Sequence, residues 1–87
     1  MKSESQVRAE LREFVVDNFL MGDATALLED SESLMDTGVV DSTGMLEIVM
    51  YLEQHFELKI KDRELVPENL DSVNNLVQFV LRKQSAA

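Results

Sequence analysis

The chain has 87 residues and a formal net charge of −9, and it contains no Cys, no Trp and a single Pro. Its length predicts one domain over residues 1–87, and the lack of Cys excludes a disulfide framework, a Cys-based zinc site and a cysteine nucleophile. There is no secretory signal or run of about 20 apolar residues, and the acidic balance disfavours nucleic acid and membranes, so we expect a cytoplasmic protein.

The first predicted element is an amphipathic helix over about residues 5–20. Its apolar residues recur at spacings of three and four, which places them on one stripe of a helix. They are Val7, Leu11, Phe14, Val15 and Phe19. Gly22 lies just past the predicted end, where a glycine favours helix termination.

A long loop is predicted next, over about residues 21–40. Loops of this length in small domains usually have a function or are fixed to the core. We expect Leu27, Leu28 and Leu34 to anchor the loop, with a helical turn around Thr25 to Glu29.

A second helix is predicted over about residues 41–56. The apolar spacing returns at Met45, Ile48, Val49, Leu52 and Phe56. Asp41 is a suitable N-cap, because its carboxylate can accept from the first backbone N–H groups of the helix. Leu46, Met50 and Tyr51 flank the core stripe and leave apolar surface near the acidic residues.

The remainder predicts a connector, a short helix and a last helix. Leu58 and Ile60 lie in an extended connector, a short helix covers about residues 62–66, and Pro67 is expected to stop it. The last helix is predicted over about residues 72–83, with fraying from Gln84 onwards. The fold class is therefore all-α, a small four-helix bundle with three main helices, one short helix and a long loop between the first two.

The acidic charge is concentrated in one region. Between Glu13 and Leu58 there are eleven acidic residues and no Lys or Arg. A basic protein surface is the natural complement of such a region, although acidic charge also serves solubility alone.

Catalytic and metal sites are not indicated. The single His, His55, is predicted at a helix end, where a surface position suits it, and it has no evident nucleophile beside it. An EF-hand starting at Asp30 would need Gly where Met35 stands and Glu where Asp41 stands. We therefore predict no catalytic residue and no metal site, and a protein that is not an enzyme.

Ser42 is the residue best placed to carry a group. It lies one residue inside the predicted start of the second helix, where unpaired N–H groups and the helix dipole favour a phosphate. An Asp-Ser pair alone also fits a simple helix cap. The wider segment GVVDSTGMLEIVMYLEQHF resembles the acyl carrier protein family, in which a Gly-x-x-Asp-Ser-Leu motif opens an acidic, apolar-striped second helix.

That resemblance covers nearly the whole chain and implies a function. Ser42 would receive 4'-phosphopantetheine from coenzyme A through a phosphopantetheinyl transferase, with Asp41 helping the transferase to recognise the site. The chain would then carry acyl or aminoacyl groups as thioesters and deliver them to partner enzymes. Residues that match the family or lie beside the motif are expected to dock partners. They are Asp36, Thr43, Glu47, Met50 and Glu53.

Some positions depart from the fatty-acid carriers. Thr43 replaces the usual Leu after the serine, and Gly44 lowers helix propensity in the first turn. Gln54 and His55 stand where the fatty-acid carriers continue their acidic residues. The segment 62–71 is also longer, by about two residues, than the corresponding segment of those carriers. These features resemble specialised stand-alone carriers charged by ATP-dependent, AMP-forming ligases, or carriers that serve a dedicated pathway. An acyl- or aminoacyl-activating ligase is an expected partner.

Two functions remain open at the level of sequence. One is a monomeric carrier whose thiol comes from coenzyme A. The other is an acidic helical adaptor that binds basic proteins and carries no prosthetic group. The cargo, the pathway and whether cargo enters the bundle stay open. Residues that could line such a space, or simply form core, are Val7, Phe14, Met45, Val49, Leu76 and Val80.

Overall fold

The computed structural model describes residues 2–23, 26 and 29–86. Its α-helices are α1 (Glu4–Phe19), α2 (Ser42–His55), α3 (Pro67–Leu70) and α4 (Val73–Ala86). A 3-10 turn, Asp62–Glu64, lies shortly before α3. No strand occurs within the described ranges, which confirms the predicted all-α bundle with one short helix and a long loop between α1 and α2.

The core is mainly aliphatic, with Phe56 and Phe79 also buried in it, and is built mainly by α1, α2 and α4. The fully enclosed side chains lie at the helical spacings that the sequence predicted. They include Val7, Leu11, Ile48, Leu52, Leu76, Val77 and Val80. Leu58 and Ile60 of the connector pack against this cluster, as expected. Burying each such side chain contributes about 1.5–3 kcal/mol, so these contacts are the main stabilising force.

Polar side chains cap the starts of the three longer helices, α1, α2 and α4. Ser3 accepts from the Gln6 N–H at 3.3 Å, Asp41 from the Gly44 N–H at 2.7 Å, and Ser72 from the Asn75 N–H at 3.0 Å. The three longer helices begin within one residue of their predicted starts, and α1 and α2 also end within one residue of their predicted ends. The predicted fraying after residue 83 is wrong, because α4 continues to Ala86 and the Gln84 side chain bonds the backbone of Lys2.

The prediction that Pro67 ends a short helix over residues 62–66 is wrong. The 3-10 turn stops at Glu64, and Pro67 is the first residue of α3. Proline is well suited to that position, since its missing N–H has no partner in the first turn of any helix and its fixed φ is helical. Leu70 from α3 is buried, so the segment adds to the core.

The loop before α2 is anchored through Leu34, which is 4% exposed. Its N–H donates to the Asp71 carbonyl at 2.9 Å, and its own carbonyl accepts from the Val40 N–H at 3.0 Å. Asp30 ties the same loop to α1 through Arg8 and Arg12. Leu27, Leu28 and most of the turn expected around Thr25 to Glu29 lie outside the described residues.

Candidate functional site

Ser42 is the first residue of α2 and is exposed. Asp41, directly before it, caps the helix with one carboxylate oxygen, and its carbonyl accepts the first intrahelical bond from the Met45 N–H at 2.9 Å. The Ser42 hydroxyl has no hydrogen-bond partner within the part of the chain that the structure describes. The hydroxyl is therefore available to a modifying enzyme, and the capped backbone fixes its position.

Gly44 allows the start of α2 to approach the end of α1. A Cβ at this position would lie 2.7 Å from Cε1 of the Phe19 ring and 3.0 Å from Cγ1 of Val40. The sequence suggested only that Gly44 weakens the first turn. The structure shows why a glycine is nevertheless suited to this position. A side chain here would push the end of α1 and the residues before α2 away from the helix start that holds Ser42.

Gly44→Ala is expected to destabilise the protein despite its better helix propensity. Alanine gains up to about 1 kcal/mol from propensity, but overpacking costs about 1–3 kcal/mol, so a net loss of about 1 kcal/mol is expected. Urea unfolding followed by circular dichroism measures it. Adding Phe19→Leu should recover part of the loss, whereas an Ala variant more stable than the parent contradicts the packing argument.

Asp71 fixes the loop that leads to Ser42, and the sequence did not identify Asp71 as a site residue. Its carboxylate accepts from the Met35 N–H at 2.9 Å and from the Ser33 hydroxyl. Asp71 and Ser72 are both suited to cap the last helix, and Ser72 does so. The only sign in the sequence that Asp71 has another role was the presence of two capping residues where the helix uses one.

The expected docking residues lie on the exposed surface around Ser42. Asp36 is in the preceding loop, while Thr43, Glu47, Met50 and Glu53 lie along α2, and all are exposed. Met50 and Leu46 are 57% and 60% exposed, so apolar area accompanies the acidic side chains. Glu53 also accepts from the Ile60 N–H at 3.3 Å, which gives it a structural contact as well.

His55 lies at the far end of α2 from Ser42 and is exposed. Its Nε2 contacts the Glu10 carboxylate and lies 3.1 Å from Nζ of Lys2. Hydrogen bonds from Lys2 and His55 lower the pKa of the Glu10 carboxyl. His55 therefore takes part in a polar contact that joins the first half of α1 to the end of α2.

Tyr51 lies between the Phe14 and His55 rings on the α1–α2 seam. Burial, together with the negative charges of Glu10 and Glu13, raises the pKa of Tyr51 to about 12. Because the raised pKa favours the neutral phenol in the folded state, stability from this residue is present below pH 10 and is lost between about 10 and 12.

The single Tyr makes this shift directly measurable by phenolate absorbance. A titration of the folded protein should have a midpoint about two pH units above that of the urea-unfolded chain, whose Tyr titrates near 10. Glu13→Gln should lower the folded midpoint. Equal midpoints for folded and unfolded chains would contradict the burial of the phenol.

The residues that could have lined a cargo space are part of the core or pack against it. Val7, Val49, Leu76 and Val80 are buried, and Phe14 and Met45 contact the cluster from its edge. Within the described ranges, no group of three His, Asp or Glu residues is arranged to hold a metal ion. The same ranges contain no helix that is both long and apolar enough to span a membrane.

Comparisons with known proteins agree on one kind of site. A family model described as a phosphopantetheine attachment site matches residues 19–80. A D-alanyl carrier protein from Streptococcus gordonii is 30% identical over 80 residues, which cover 92% of this chain and 98% of that protein. Another, from Streptococcus uberis, is 36% identical over 70 residues and covers 80% and 86% of the two chains.

A solved structure shares the fold. The crystal structure of an acyl carrier protein from Thermotoga maritima aligns with a TM-score of 0.71 at 23% identity. The alignment covers 95% of this chain and 92% of that protein.

Proposed function

Because the chain belongs to the family of phosphopantetheine-bearing carrier proteins, we propose that Ser42 is the residue to which the group is attached. Ser42 lies within the matched residues and directly follows Asp41 at the start of α2. The observation that carries the proposal is an exposed hydroxyl that has no hydrogen-bond partner among the described residues and is held at the capped start of α2.

The surroundings of Ser42 fit a phosphodiester. The first backbone N–H groups of α2 give the helix start a positive partial charge, and Asp41 satisfies only the Gly44 N–H. Asp41 Oδ1 is committed to that bond, which leaves the second carboxylate oxygen to face a modifying enzyme. Asp41 therefore positions the site and contributes to recognition by a phosphopantetheinyl transferase.

The protein is a carrier of acyl or aminoacyl groups. The 4'-phosphopantetheine supplies a thiol that this chain, with no Cys, does not contain. The chain's own contribution is to present Ser42 at a fixed exposed position and to dock partner enzymes. Tethering raises the effective concentration of the cargo at a docked enzyme to about millimolar. No catalytic residue of its own is required, so the protein acts as a substrate of other enzymes.

An aminoacyl cargo, of the D-alanyl kind, is part of the proposal. Relatives that are 30% and 36% identical over most of the chain are named D-alanyl carrier proteins. The departures at Thr43 and Gly44 also separate this chain from fatty-acid carriers. An ATP-dependent aminoacyl-activating ligase is then the enzyme that loads the thiol. Mass spectrometry of protein isolated from its native host identifies the cargo, and a long acyl chain would contradict this part.

Partner docking is assigned to the exposed surface around Ser42. Carboxylates and apolar area are presented together by Thr43, Glu47, Met50 and Glu53 on α2, and Asp36 in the preceding loop is also exposed. Basic partner enzymes complement this surface, and the pairing is sensitive to salt because the charges are exposed. A single monomeric carrier domain over 1–87 in the cytoplasm belongs to the same proposal.

The attachment is tested by weighing the purified chain after incubation with coenzyme A and a broad-specificity phosphopantetheinyl transferase. We expect a gain of one phosphopantetheinyl group, which fragmentation assigns to the peptide containing Ser42. No gain, or a gain on another residue, would overturn the assignment. An adaptor without a prosthetic group predicts no gain.

A further inference from the structure

A groove of about 450 Å³ lies between the Asp62–Glu64 turn and the second half of α4. We call it the basic groove. Cations make up more than half of its lining residues, which also include Asn69 and Phe79. The cations are Lys61, Arg63, Arg82 and Lys83. Positive side chains therefore come together in one concavity of a chain whose net charge is −9.

The pairing of the basic residues separates this groove from the rest of the surface. Lys2, Arg8 and Arg12 each contact a carboxylate, and Lys83 is paired with Glu64 at 2.9 Å. No ion pair joins the other four cations to a residue in the described ranges, and these cations are Lys59, Lys61, Arg63 and Arg82. Acidic residues outnumber basic ones by 17 to 8, so a lack of carboxylates does not explain three unpaired cations in one groove.

The Arg82 guanidinium is held in position by uncharged groups. Its Nη2 donates to Asn69 Oδ1 at 2.9 Å, and its central carbon lies 5.9 Å from the centroid of the Phe79 ring. Asn69 is itself fixed, because its side-chain N–H donates to the Glu64 carbonyl at 2.9 Å. A guanidinium has five N–H donors and this contact uses one, so the other donors remain for an anion.

Glu64 is the one carboxylate among the described lining residues, and it is already satisfied. Its two oxygens accept from Lys83 Nζ at 2.9 and 3.2 Å, and Oε1 also accepts from the Lys61 N–H at 2.9 Å. The bond from the Lys61 N–H and the bond from Lys83 lower the pKa of the Glu64 carboxyl, and the charge of Arg63 adds to the effect. Glu64 therefore fixes the turn against α4 and leaves the Lys61 ammonium and the Arg63 guanidinium without an ion pair.

We propose that the basic groove binds an acidic peptide segment of a partner protein. Lys61 and Arg63 come from the turn side of the groove and Arg82 from the α4 side, so carboxylates in the groove meet cations on both sides. Each guanidinium can donate two parallel bonds to one carboxylate. Asp62 and Glu68 of the chain itself are exposed and do not line the groove, so they leave it open to a partner.

A narrow acidic segment fits the groove better than a membrane or a nucleic acid does. A lipid surface is broad and flat, so it would meet the acidic remainder of the chain as well as the groove. The eleven acidic residues between Glu13 and Leu58 would repel its anionic headgroups, and they would repel a phosphate backbone in the same way. A peptide segment enters the concavity and avoids that repulsion.

The basic groove lies toward the end of the bundle opposite Ser42. Lys83 directly precedes Gln84, which bonds the backbone of Lys2, and Lys2 lies beside His55 at the last residue of α2. A partner held in the groove leaves Ser42 accessible. When the same partner also contacts the acidic residues of α2, charges of opposite sign at the two places fix its orientation on the carrier.

The test is an amide NMR titration of the full chain at about 0.15 M salt with two blocked peptides. One is acetyl-Gly-Asp-Gly-Asp-Gly-amide, and the other has Asn in place of each Asp. The acidic peptide should cause saturable shifts centred on residues 61–64, 69 and 82–83, with at least about fivefold tighter binding than the Asn peptide. Its affinity should fall as the salt concentration is raised.

Lys61→Gln should weaken binding of the acidic peptide about threefold, because it removes one cation from the groove, and Arg63→Gln should act in the same way. The matched control is Lys59→Gln. Lys59 is exposed and unpaired like Lys61 and lies two residues before it, but it does not line the groove, so its replacement should leave the affinity unchanged. These three side chains are exposed and have no ion pair among the described residues, so each variant should fold, which circular dichroism checks.

Three outcomes of the titration would overturn the proposal: equal affinity for the two peptides, equal effects of Lys59→Gln and Lys61→Gln, and shifts centred away from the groove. Tighter binding of phosphatidylglycerol vesicles or of inorganic phosphate at the same residues would also overturn it, since the groove would then be a site for a lipid surface or a small anion. The chain is titrated without its prosthetic group, so the result is independent of whether Ser42 can be loaded.

Discussion

Ser42→Ala should abolish loading with the phosphopantetheinyl group while leaving the free energy of unfolding within about 0.5 kcal/mol of the parent. The loss is complete because the hydroxyl oxygen is the atom that bonds the phosphate. Stability is retained because the Ser42 side chain is exposed and has no hydrogen-bond partner among the described residues. Intact mass after incubation with coenzyme A and a transferase measures loading, and urea unfolding measures stability.

Ser31→Ala is the matched control for this variant. Ser31 is also exposed, but it lies in the loop rather than at the start of α2, and its replacement should leave loading intact. A fully loaded Ser42→Ala chain would place the group elsewhere. Loss of loading together with unfolding would instead assign Ser42 a structural role, which its free hydroxyl contradicts.

Leu34→Ala should be the most destabilising change in the loop that leads to the site. Leu34 is 4% exposed and packs into the core, and truncating a buried Leu costs about 2–5 kcal/mol. A domain has only about 5–15 kcal/mol in total, so this is a large fraction. The chain should unfold at clearly lower urea concentration, with an unchanged slope of the transition.

Leu46→Ala makes the same chemical change on a side chain that is 60% exposed. Its effect on the free energy of unfolding should stay within about 0.5 kcal/mol. The comparison separates burial from residue type. Equal losses in the two variants would show that the loop is not fixed by Leu34.

The helices that carry the core were predictable because their apolar residues keep a helical spacing over several turns. Leu11 in α1, Ile48 in α2 and Leu76 in α4 are all fully buried. Ser42 was identified from the residues around it and from the resemblance to carrier proteins. Local side-chain capping at Asp41 was equally predictable, since it involves residues close in sequence.

Contacts between distant segments were not predictable. The role of Asp71 depends on Met35 and Ser33, which lie far from it in sequence. The close approach of Gly44 to Phe19 is likewise a property of the packed pair of helices. Pro67 was misread because proline both ends and begins helices, and only the residues after it decide which.

Lys2 and Gln84 lie together at the end of the bundle opposite Ser42. Gln84 bonds the backbone of Lys2, and Lys2 Nζ lies 3.1 Å from His55 at the last residue of α2, whereas Ser42 is the first. At a rise of about 1.5 Å per residue, α2 separates the two poles by roughly 20 Å. A surface, a dye or a second domain attached through either terminal segment will therefore hold the protein with Ser42 pointing outwards. Immobilised or fused versions should stay accessible to the enzymes that load and unload it.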